Sequence, residues 1–138
     1  MTGEFIVAVH AAVFLNHKAQ NMTSEEIAGN VCTNPARIRK VMAKLKKAGL
    51  IETHEGAVHG GYAFRKDPKE ITLLQIFDAV DDKVITAPWK SGNPELNCLI
   101  ASGMAGVMDG ILNRMDGSCR EILRAVTVDD IDREIFRK

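Results

Sequence analysis

Apolar residues recur at helical spacing between residues 35 and 48, and this is the clearest pattern in the chain. At about 100° per residue, one helical face carries the apolar side chains Ile38, Val41, Met42, Leu45 and Ala48. The boundaries agree with this periodicity, because Asn34 is a good N-cap, Pro35 suits the first helical position and Gly49 can end the helix. The pattern predicts a helix over residues 35–48.

Further elements are predicted on both sides of this helix. An apolar helix is expected over residues 4–17, and a short helix begins at Thr23, where Glu26 completes a capping box. Two short strands are predicted over residues 50–55 and 58–65, with a turn at 55–57. An amphipathic helix over 71–80, a long helix from 94 to about 126 and a last short helix capped by Thr127 and Asp130 complete the chain.

The order helix, turn, helix and β-ribbon is the layout of a winged helix-turn-helix. The predicted fold class is therefore mainly α with a small β-wing (α+β), extended by a long C-terminal dimerisation helix. We expect residues 1–80 to form the winged helix-turn-helix DNA-binding domain, and residues 81–138 to form a sensor loop and the dimerisation helix. Such a module usually places its second helix in a DNA major groove.

Charge is concentrated on the predicted second helix, although the chain as a whole has a net charge of zero. Six cations and no acidic residue lie between Pro35 and Ala48. Residues 1–70 hold 10 Lys and Arg against 7 acidic residues, whereas residues 71–138 hold 8 against 11. A solvated charged face would also give a basic helix, but its position after a tight turn favours contact with nucleic acid.

The predicted contacts to double-stranded DNA follow from this placement. We expect Asn34, the helix start at Pro35 and Lys44 to meet phosphate. Base edges are within reach of Thr33, Ala36, Arg37 and Lys40. Gly60-Gly61 is either a close approach to DNA or a β-bulge. The full predicted set of DNA-binding residues is Thr23, Ser24, Thr33, Asn34, Ala36, Arg37, Arg39, Lys40, Lys44, His59, Gly60, Gly61 and Tyr62.

The long C-terminal helix carries more apolar surface than a helix projecting alone would keep. Gly103, Gly106 and Gly110 would let a second helix approach closely, although each costs the helix about 1 kcal/mol relative to Ala. A self-pairing helix would explain both features and predicts a homodimer with two-fold symmetry. Two recognition helices about 34 Å apart would then require a palindromic operator.

Composition limits the cellular setting. There is no apolar run of about 18 residues and no basic start typical of a secretory signal, so we expect no membrane partner and a cytoplasmic location. Cys32, Cys98 and Cys119 are too few and too scattered for a disulfide framework, and no pair has CxxC spacing. No zinc or other metal site within one chain is therefore expected.

The sequence resembles the Rrf2 family of bacterial winged-helix regulators. The resemblance rests on residues 37–51, on Gly60-Gly61-Tyr62, on Lys66-Asp67-Pro68 and on the helix over 71–81. It implies a homodimeric transcription factor, commonly a repressor, with a sensor in the loop and at the start of the long helix. Many members of the family hold a [2Fe–2S] cluster there with three cysteines. Only Cys98 lies between Asp81 and Gly103, so we expect no cluster and no other cofactor.

Cys32 and Cys98 suggest a thiol switch, similar to sensing in cluster-free branches of the family. Cys98 is expected in the first turns of the long helix, where the helix N-terminus favours the thiolate, and Cys32 lies in the turn before the recognition helix. Oxidation would link Cys32 to Cys98 of the other chain and shift the recognition helices. Alternatively both are small apolar fillers, as we expect for Cys119.

Three other functions are compatible with parts of the sequence. The regulator could sense a small molecule under Trp89 and the Met-rich helix, or the winged helix could bind proteins instead of DNA. The basic recognition helix argues against the protein-binding module. A cysteine enzyme is also disfavoured, because Cys98 has no nearby histidine and no recognisable acid–base set.

Overall fold

A computed structural model of the protein describes residues 1–56, 58 and 60–137. It contains six helices and two strands in this described part of the chain. In chain order they are α1 (Gly3–Lys18), α2 (Ser24–Val31), α3 (Pro35–Lys47), β1 (Ile51–His54), β2 (Gly61–Phe64), α4 (Leu73–Ala79), α5 (Leu99–Arg124) and α6 (Val128–Ile135). This mainly helical fold with one small antiparallel sheet confirms the predicted winged helix-turn-helix.

The chain forms two compact units. The first comprises Met1–Asp82 together with the residues from Leu123 onwards, and the second comprises Lys83–Ile122. The core of the first unit lies among α1, α2, α3 and α4, where Phe5 and Phe77 meet edge to face with ring centroids 5.3 Å apart. The four apolar residues on the inner face of α3 are all buried: Ile38, Val41, Met42 and Leu45. Burying each such side chain contributes about 1.5–3 kcal/mol, which fixes the face that α3 turns outwards.

The helix starts follow the predicted capping chemistry. The Thr23 hydroxyl accepts a hydrogen bond from the Glu26 amide, and the Glu26 carboxylate accepts one from the Thr23 amide, so the predicted capping box of α2 is confirmed. The Asn34 side chain accepts from the Arg37 amide at 2.8 Å and begins α3. Gly49 follows the end of α3 with a φ of 79°, which glycine adopts at little cost.

The wing is shorter than the sequence predicted. β1 and β2 pair antiparallel from Ile51 opposite Phe64 to His54 opposite Gly61. Beyond His54 the described residues 55, 56, 58 and 60 are outside the strands. Gly61 has a φ of 122°, and a side chain there would collide with the Met22 carbonyl. The close approach made by Gly61 within this chain is therefore to Met22, two residues before α2 begins.

The C-terminal helix α6 packs on α1 in the first unit. The Asp132 carboxylate accepts hydrogen bonds from the Asn16 amide at 2.9 Å and pairs with the His17 ring at 3.0 Å. This placement differs from the expected division into 1–80 and 81–138, because the contacts of α6 group it with the winged helix-turn-helix. No periodic pattern in the sequence predicts the polar cluster that Asp132 forms with Asn16 and His17.

The long helix begins later than predicted. Residues 94–98 are turn and irregular backbone, and α5 starts at Leu99 instead of Pro94. The Asn93 side chain accepts from the Glu95 amide at 2.9 Å, and this local bond competes with helix formation. No helix within residues 1–56, 58 and 60–137 is long and apolar enough to cross a membrane.

Candidate nucleic-acid interface

The outward face of α3 is a straight row of four exposed residues, which we call the outer ridge: Ala36, Lys40, Ala43 and Lys47. Their spacing of four, three and four residues places them opposite the buried face of the helix. Two small and two cationic side chains alternate along the ridge. A small side chain lets a helix approach base edges, and alanine can contact the thymine methyl group, while the lysines can reach phosphates.

The flank of α3 next to α1 is partly neutralised. The Glu4 carboxylate lies 3.0 Å from the Lys40 ammonium and 2.7 Å from the Lys44 ammonium. These hydrogen bonds, the one to Lys44 first, hold the pKa of Glu4 below its ordinary value. Arg37 lies on the same flank, since a side chain at Gly3 would meet its guanidinium. The sequence of α3 contains no acidic residue, but Glu4 of α1 supplies a carboxylate to this flank.

The opposite flank faces α2 and the wing. Arg39 and Glu25 form an exposed ion pair at 3.6 Å, and the Lys46 ammonium donates to the Thr53 hydroxyl at 2.8 Å. An exposed pair of this kind stabilises a protein by about 1 kcal/mol or less, so Arg39 can exchange its partner at little cost. The Arg39 side chain can therefore leave Glu25 and contact a ligand on this exposed flank of α3.

The turn before α3 brings Cys32, Thr33 and Asn34 together. Cys32 ends α2 in the left-handed region with a φ of 65°, and its amide donates to the Ala28 carbonyl at 2.9 Å. The Thr33 amide donates to the same carbonyl at 3.1 Å. Cys32 is exposed, so its thiol stands at the surface of the turn that sets the direction of α3.

The wing residues Gly60, Gly61 and Tyr62 have partners within the chain. The Tyr62 hydroxyl lies 3.2 Å from the hydroxyl of Ser24, which is itself buried. Tyr62 and Met22 also exchange two backbone hydrogen bonds at 2.8 and 3.2 Å. A side chain at Gly60 would collide with the Gly56 carbonyl. These contacts give both glycines a structural role, and the predicted contact by His59 lies outside the described residues.

The structure divides the predicted DNA-binding residues by their surroundings. Thr23, Ser24 and Tyr62 cluster where α2 meets the wing, and their hydroxyls are engaged within the chain. Ala36, Arg37, Arg39 and Lys40 are exposed on α3, and Lys44 is half-buried against Glu4. Two ridge residues, Ala43 and Lys47, were absent from the predicted set. Their helical spacing from Ala36 would have identified them in the sequence.

Cys98 lies in the second unit, immediately before α5. It is exposed, and the backbone amides of Ala101 and Ile100 lower the pKa of its thiol. The same unit contains a groove of about 330 Å³ that is lined by residues 86–91 and by Ala105, Met108, Asp109 and Leu112 of α5. The Lys90 ammonium and the Asp109 carboxylate form an ion pair at 3.0 Å beside this groove.

The solvent-facing side of α5 is strongly apolar. Its exposed large apolar side chains are Leu99, Ile100, Met104, Val107, Met108, Ile111, Met115 and Ile122. Nothing lies within 4 Å of a side chain built at Gly103, Gly106 or Gly110. A soluble monomer rarely exposes an apolar row of this length, which is typical of an interaction surface.

A capped short helix, a tight turn, an exposed basic helix and a two-stranded wing together define a DNA-binding winged helix-turn-helix protein. The family model for the Rrf2 family, described as iron-dependent transcriptional regulator, matches residues 1–134. The chain belongs to this family of transcriptional regulators.

Relatives and solved structures agree with this assignment. YwnA of Bacillus subtilis strain 168, which carries the name of an HTH-type transcriptional regulator, is 26% identical over 131 residues, covering 94% of this chain and 95% of YwnA. A structure from Lactobacillus plantarum assigned to a transcriptional regulator has a TM-score of 0.80 at 22% identity, covering 99% of this chain and 92% of that one. CymR, the global cysteine regulator of B. subtilis, has a TM-score of 0.73 at 16% identity, covering 97% and 96%. These relatives are regulators and not enzymes.

The family description names iron, and an iron site would need several ligand side chains close together. Within the described residues, no group of three or more His, Cys, Asp or Glu side chains could hold a metal ion. Cys98 and Cys119 are 21 positions apart, so the length of α5 separates them by roughly 30 Å. Two copies would bring two Cys98 thiolates, fewer than the four ligands that clusters usually take. Within the described residues of one chain, the cysteines therefore do not form a site for an iron–sulfur cluster.

Proposed function

We propose that this regulator is a homodimeric repressor that binds a palindromic operator and loses DNA affinity when oxidation links Cys32 to Cys98 of the partner chain. The outer ridge of α3 is the observation that carries the DNA-binding part. It offers small and basic side chains on a helix whose opposite face is fully buried. The predicted base contacts by Thr33, Ala36, Arg37 and Lys40, with Asn34 at the phosphate, are part of this proposal.

The homodimer is supported by α5. Its apolar side chains are exposed in one copy, and its glycines leave open space where a second helix can pack. A groove of about 740 Å³ between α1 and α6 in the first unit, with a mainly apolar lining that includes Ile6, Ile135 and Phe136, is a further apolar surface. A second copy would remove such surface from water, which favours association.

The thiol switch is supported by the chemistry of the two cysteines. Cys98 is exposed and has a lowered thiol pKa, which raises the fraction of the nucleophilic thiolate at neutral pH. Cys32 is exposed in the turn that directs α3. Disulfide formation removes two protons and two electrons from the two thiols, and an oxidant such as diamide takes them up as its hydrazine. A bond at Cys32 would pull on the start of α3.

The test is non-reducing gel electrophoresis with intact-mass measurement before and after mild diamide treatment. The proposal predicts a reducible covalent dimer that is absent in Cys32→Ser and in Cys98→Ser. Cys119→Ser is the matched control and should still form the dimer. A covalent dimer that persists without Cys32 or without Cys98, or no covalent dimer at all, would contradict the switch.

A second candidate is sensing of a small molecule in the groove beside Trp89. The groove of about 330 Å³ is near the lower end of typical ligand-site volumes, and Trp89 is exposed at its edge. The double variant Cys32→Ser, Cys98→Ser separates the two candidates. A sensor of small molecules would keep its regulated DNA binding in this variant, whereas a thiol switch would lose its response to diamide.

A further inference from the structure

Glu4 in the first turn of α1 engages two lysines of α3. Its carboxylate oxygens lie 3.0 Å from the Lys40 ammonium and 2.7 Å from the Lys44 ammonium. The side chain of Glu4 is only 25% exposed and that of Lys44 is 35% exposed, whereas that of Lys40 is 65% exposed, so Lys44 is the more firmly held of the two lysines. Charge-assisted hydrogen bonds of this length in a partly desolvated place are stronger than an exposed ion pair.

The surrounding contacts fix Glu4 in this position. The Thr2 amide and hydroxyl donate to the Asp82 carboxylate at 2.7 and 3.0 Å, which anchors the residues before α1. Gly3 lies against the end of the exposed Arg37 side chain, so the start of α1 and this flank of α3 are close together. The pKa of Glu4 is lowered by Lys44 and then by Lys40, so the carboxylate stays ionised at neutral pH. The negative charge is therefore a permanent part of the α3 flank.

This arrangement affects how α3 meets a phosphate backbone. Lys40 and Lys44 must leave or share the Glu4 carboxylate before they bind phosphate, and the carboxylate itself repels phosphate. Both effects weaken the sequence-independent part of DNA binding, which depends on the number of cations that neutralise phosphates. The base-edge contacts proposed for Thr33 and Ala36 do not depend on these charges, whereas the contact proposed for Lys40 requires Lys40 to leave Glu4. The exposed pair of Arg39 with Glu25, at 3.6 Å, imposes a much weaker restraint.

We propose that Glu4 is a specificity-determining residue, a built-in counter-charge that holds Lys40 and Lys44 and keeps the affinity of α3 for non-operator DNA low. This role rests on the proposed DNA-binding function and adds a residue outside the helix-turn-helix to it. A regulator that binds any duplex too well would be distributed over the genome, because competing sites are far more numerous than operators.

The experiment compares wild-type protein with Glu4→Gln on two probes by fluorescence anisotropy between 50 and about 200 mM KCl. One probe is a mixed-sequence duplex of about 30 base pairs, and the other is a duplex selected from a random library with the wild-type protein. Glu134→Gln, on the exposed surface of α6, removes the same charge elsewhere and is the matched control.

The expected result is a rise in affinity for the mixed-sequence duplex of about three- to tenfold near 100 mM KCl in Glu4→Gln. The slope of log K against log salt should steepen by about 0.9 for each newly contacted phosphate. Affinity for the selected duplex should rise by a smaller factor, so the ratio of the two affinities falls, and an equal rise on both probes would contradict a role in specificity. Glu134→Gln should match the wild type.

Lys44→Gln gives a second test in each background of Glu4, and circular dichroism checks that every variant is folded. In the wild-type background, Lys44→Gln should change the salt slope of DNA binding little, because the Lys44 ammonium is already paired with the Glu4 carboxylate. In the Glu4→Gln background the same change should lower the slope by about one. Unchanged or weakened DNA binding in Glu4→Gln would overturn the role of Glu4. Failure of the wild type to select or bind any duplex would instead overturn the proposed function.

Discussion

The hydroxyl oxygen of Tyr62 lies 3.2 Å from the hydroxyl oxygen of Ser24, and this hydrogen bond joins the wing to the first helix of the helix-turn-helix. Ser24 is buried at 9% exposure, so its hydroxyl depends on a partner within the protein. The backbone bonds between Tyr62 and Met22 strengthen the same junction. The wing is therefore attached to the start of α2 by both side-chain and main-chain contacts.

Tyr62→Phe tests this junction. The substitution keeps the ring but leaves the buried Ser24 hydroxyl without its partner, so we expect the free energy of unfolding to fall by about 1 kcal/mol. Urea denaturation monitored by circular dichroism measures the change. Ser24→Ala alone and the double variant complete a mutant cycle, and a coupling energy of zero between the two positions would show that the bond does not stabilise the fold.

Gly61→Ala should be much more damaging. The substitution forces an L-residue to adopt a φ of 122° and places its side chain against the Met22 carbonyl. We expect a loss of roughly 2–4 kcal/mol in the free energy of unfolding. Gly29→Ala is the matched control, because Gly29 lies in α2 with open space around it. Equal stability of the two variants in thermal melts would contradict the proximity of the wing to Met22.

The glycines of α5 give a test of self-pairing. In a single chain Gly106→Leu meets no atom within 4 Å at its first carbon and should favour the helix by about 1 kcal/mol. If α5 packs against a second copy at this position, the larger side chain will weaken the dimer. Sedimentation equilibrium should therefore show a raised dimer dissociation constant for Gly106→Leu. An unchanged dissociation constant would exclude Gly106 from the interface.

Glu4 should also contribute a pH-dependent share of stability. Its folded-state pKa is lowered below the ordinary value of 4.5, so its stabilising effect is fully present above that value and is lost as pH falls through the folded pKa. We expect Glu4→Gln to reduce the free energy of unfolding by about 0.5–1 kcal/mol at pH 7. The difference from the wild type should shrink steadily below pH 4.5. A difference that stays constant down to acidic pH would mean that the carboxylate charge is not the cause.

Cys98 should react faster than an ordinary thiol. Because the amides of Ala101 and Ile100 lower its pKa, its iodoacetamide reactivity should rise with a midpoint pH below that of the same cysteine in the urea-unfolded chain. Peptide mass spectrometry assigns the label to Cys98. The measurement is the rate of Cys98 alkylation as a function of pH. A midpoint equal to that of the unfolded chain would show that the start of α5 does not stabilise the thiolate.

Much of the fold could be predicted because it depends on local chemistry. The capping residues Thr23, Asn34 and Thr127 act within three residues of their partners, and all three begin helices in the structure. The buried face of α3 also follows from the spacing of its apolar residues. The predicted set included only Ala36 and Lys40 of the outer ridge and omitted Ala43 and Lys47, although the helical period fixes the side of a helix opposite its buried face.

The remaining features depend on residues that are distant in sequence. Glu4 meets Lys44 across 40 positions, and Gly61 meets Met22 across a turn, two helices and a strand, so neither pair leaves a periodic signal. The start of α5 was misplaced because Pro94 is a favourable first helical residue, while the side-chain bond from the Glu95 amide to Asn93 stabilises a turn instead. The packing of α6 on α1 likewise depends on contacts between residues far apart in sequence, such as those of Asp132 with Asn16 and His17.

We propose that this protein binds DNA through α3 and that oxidation of Cys32 and Cys98 controls the binding. The most direct test is the affinity for a duplex selected by the reduced protein, measured with dithiothreitol, after diamide and after re-reduction. A thiol switch of this kind should lower the affinity about tenfold or more on oxidation, with full recovery on reduction and no loss in the Cys32→Ser, Cys98→Ser variant. Equal affinity in both redox states, or the same loss in the double variant, would contradict it.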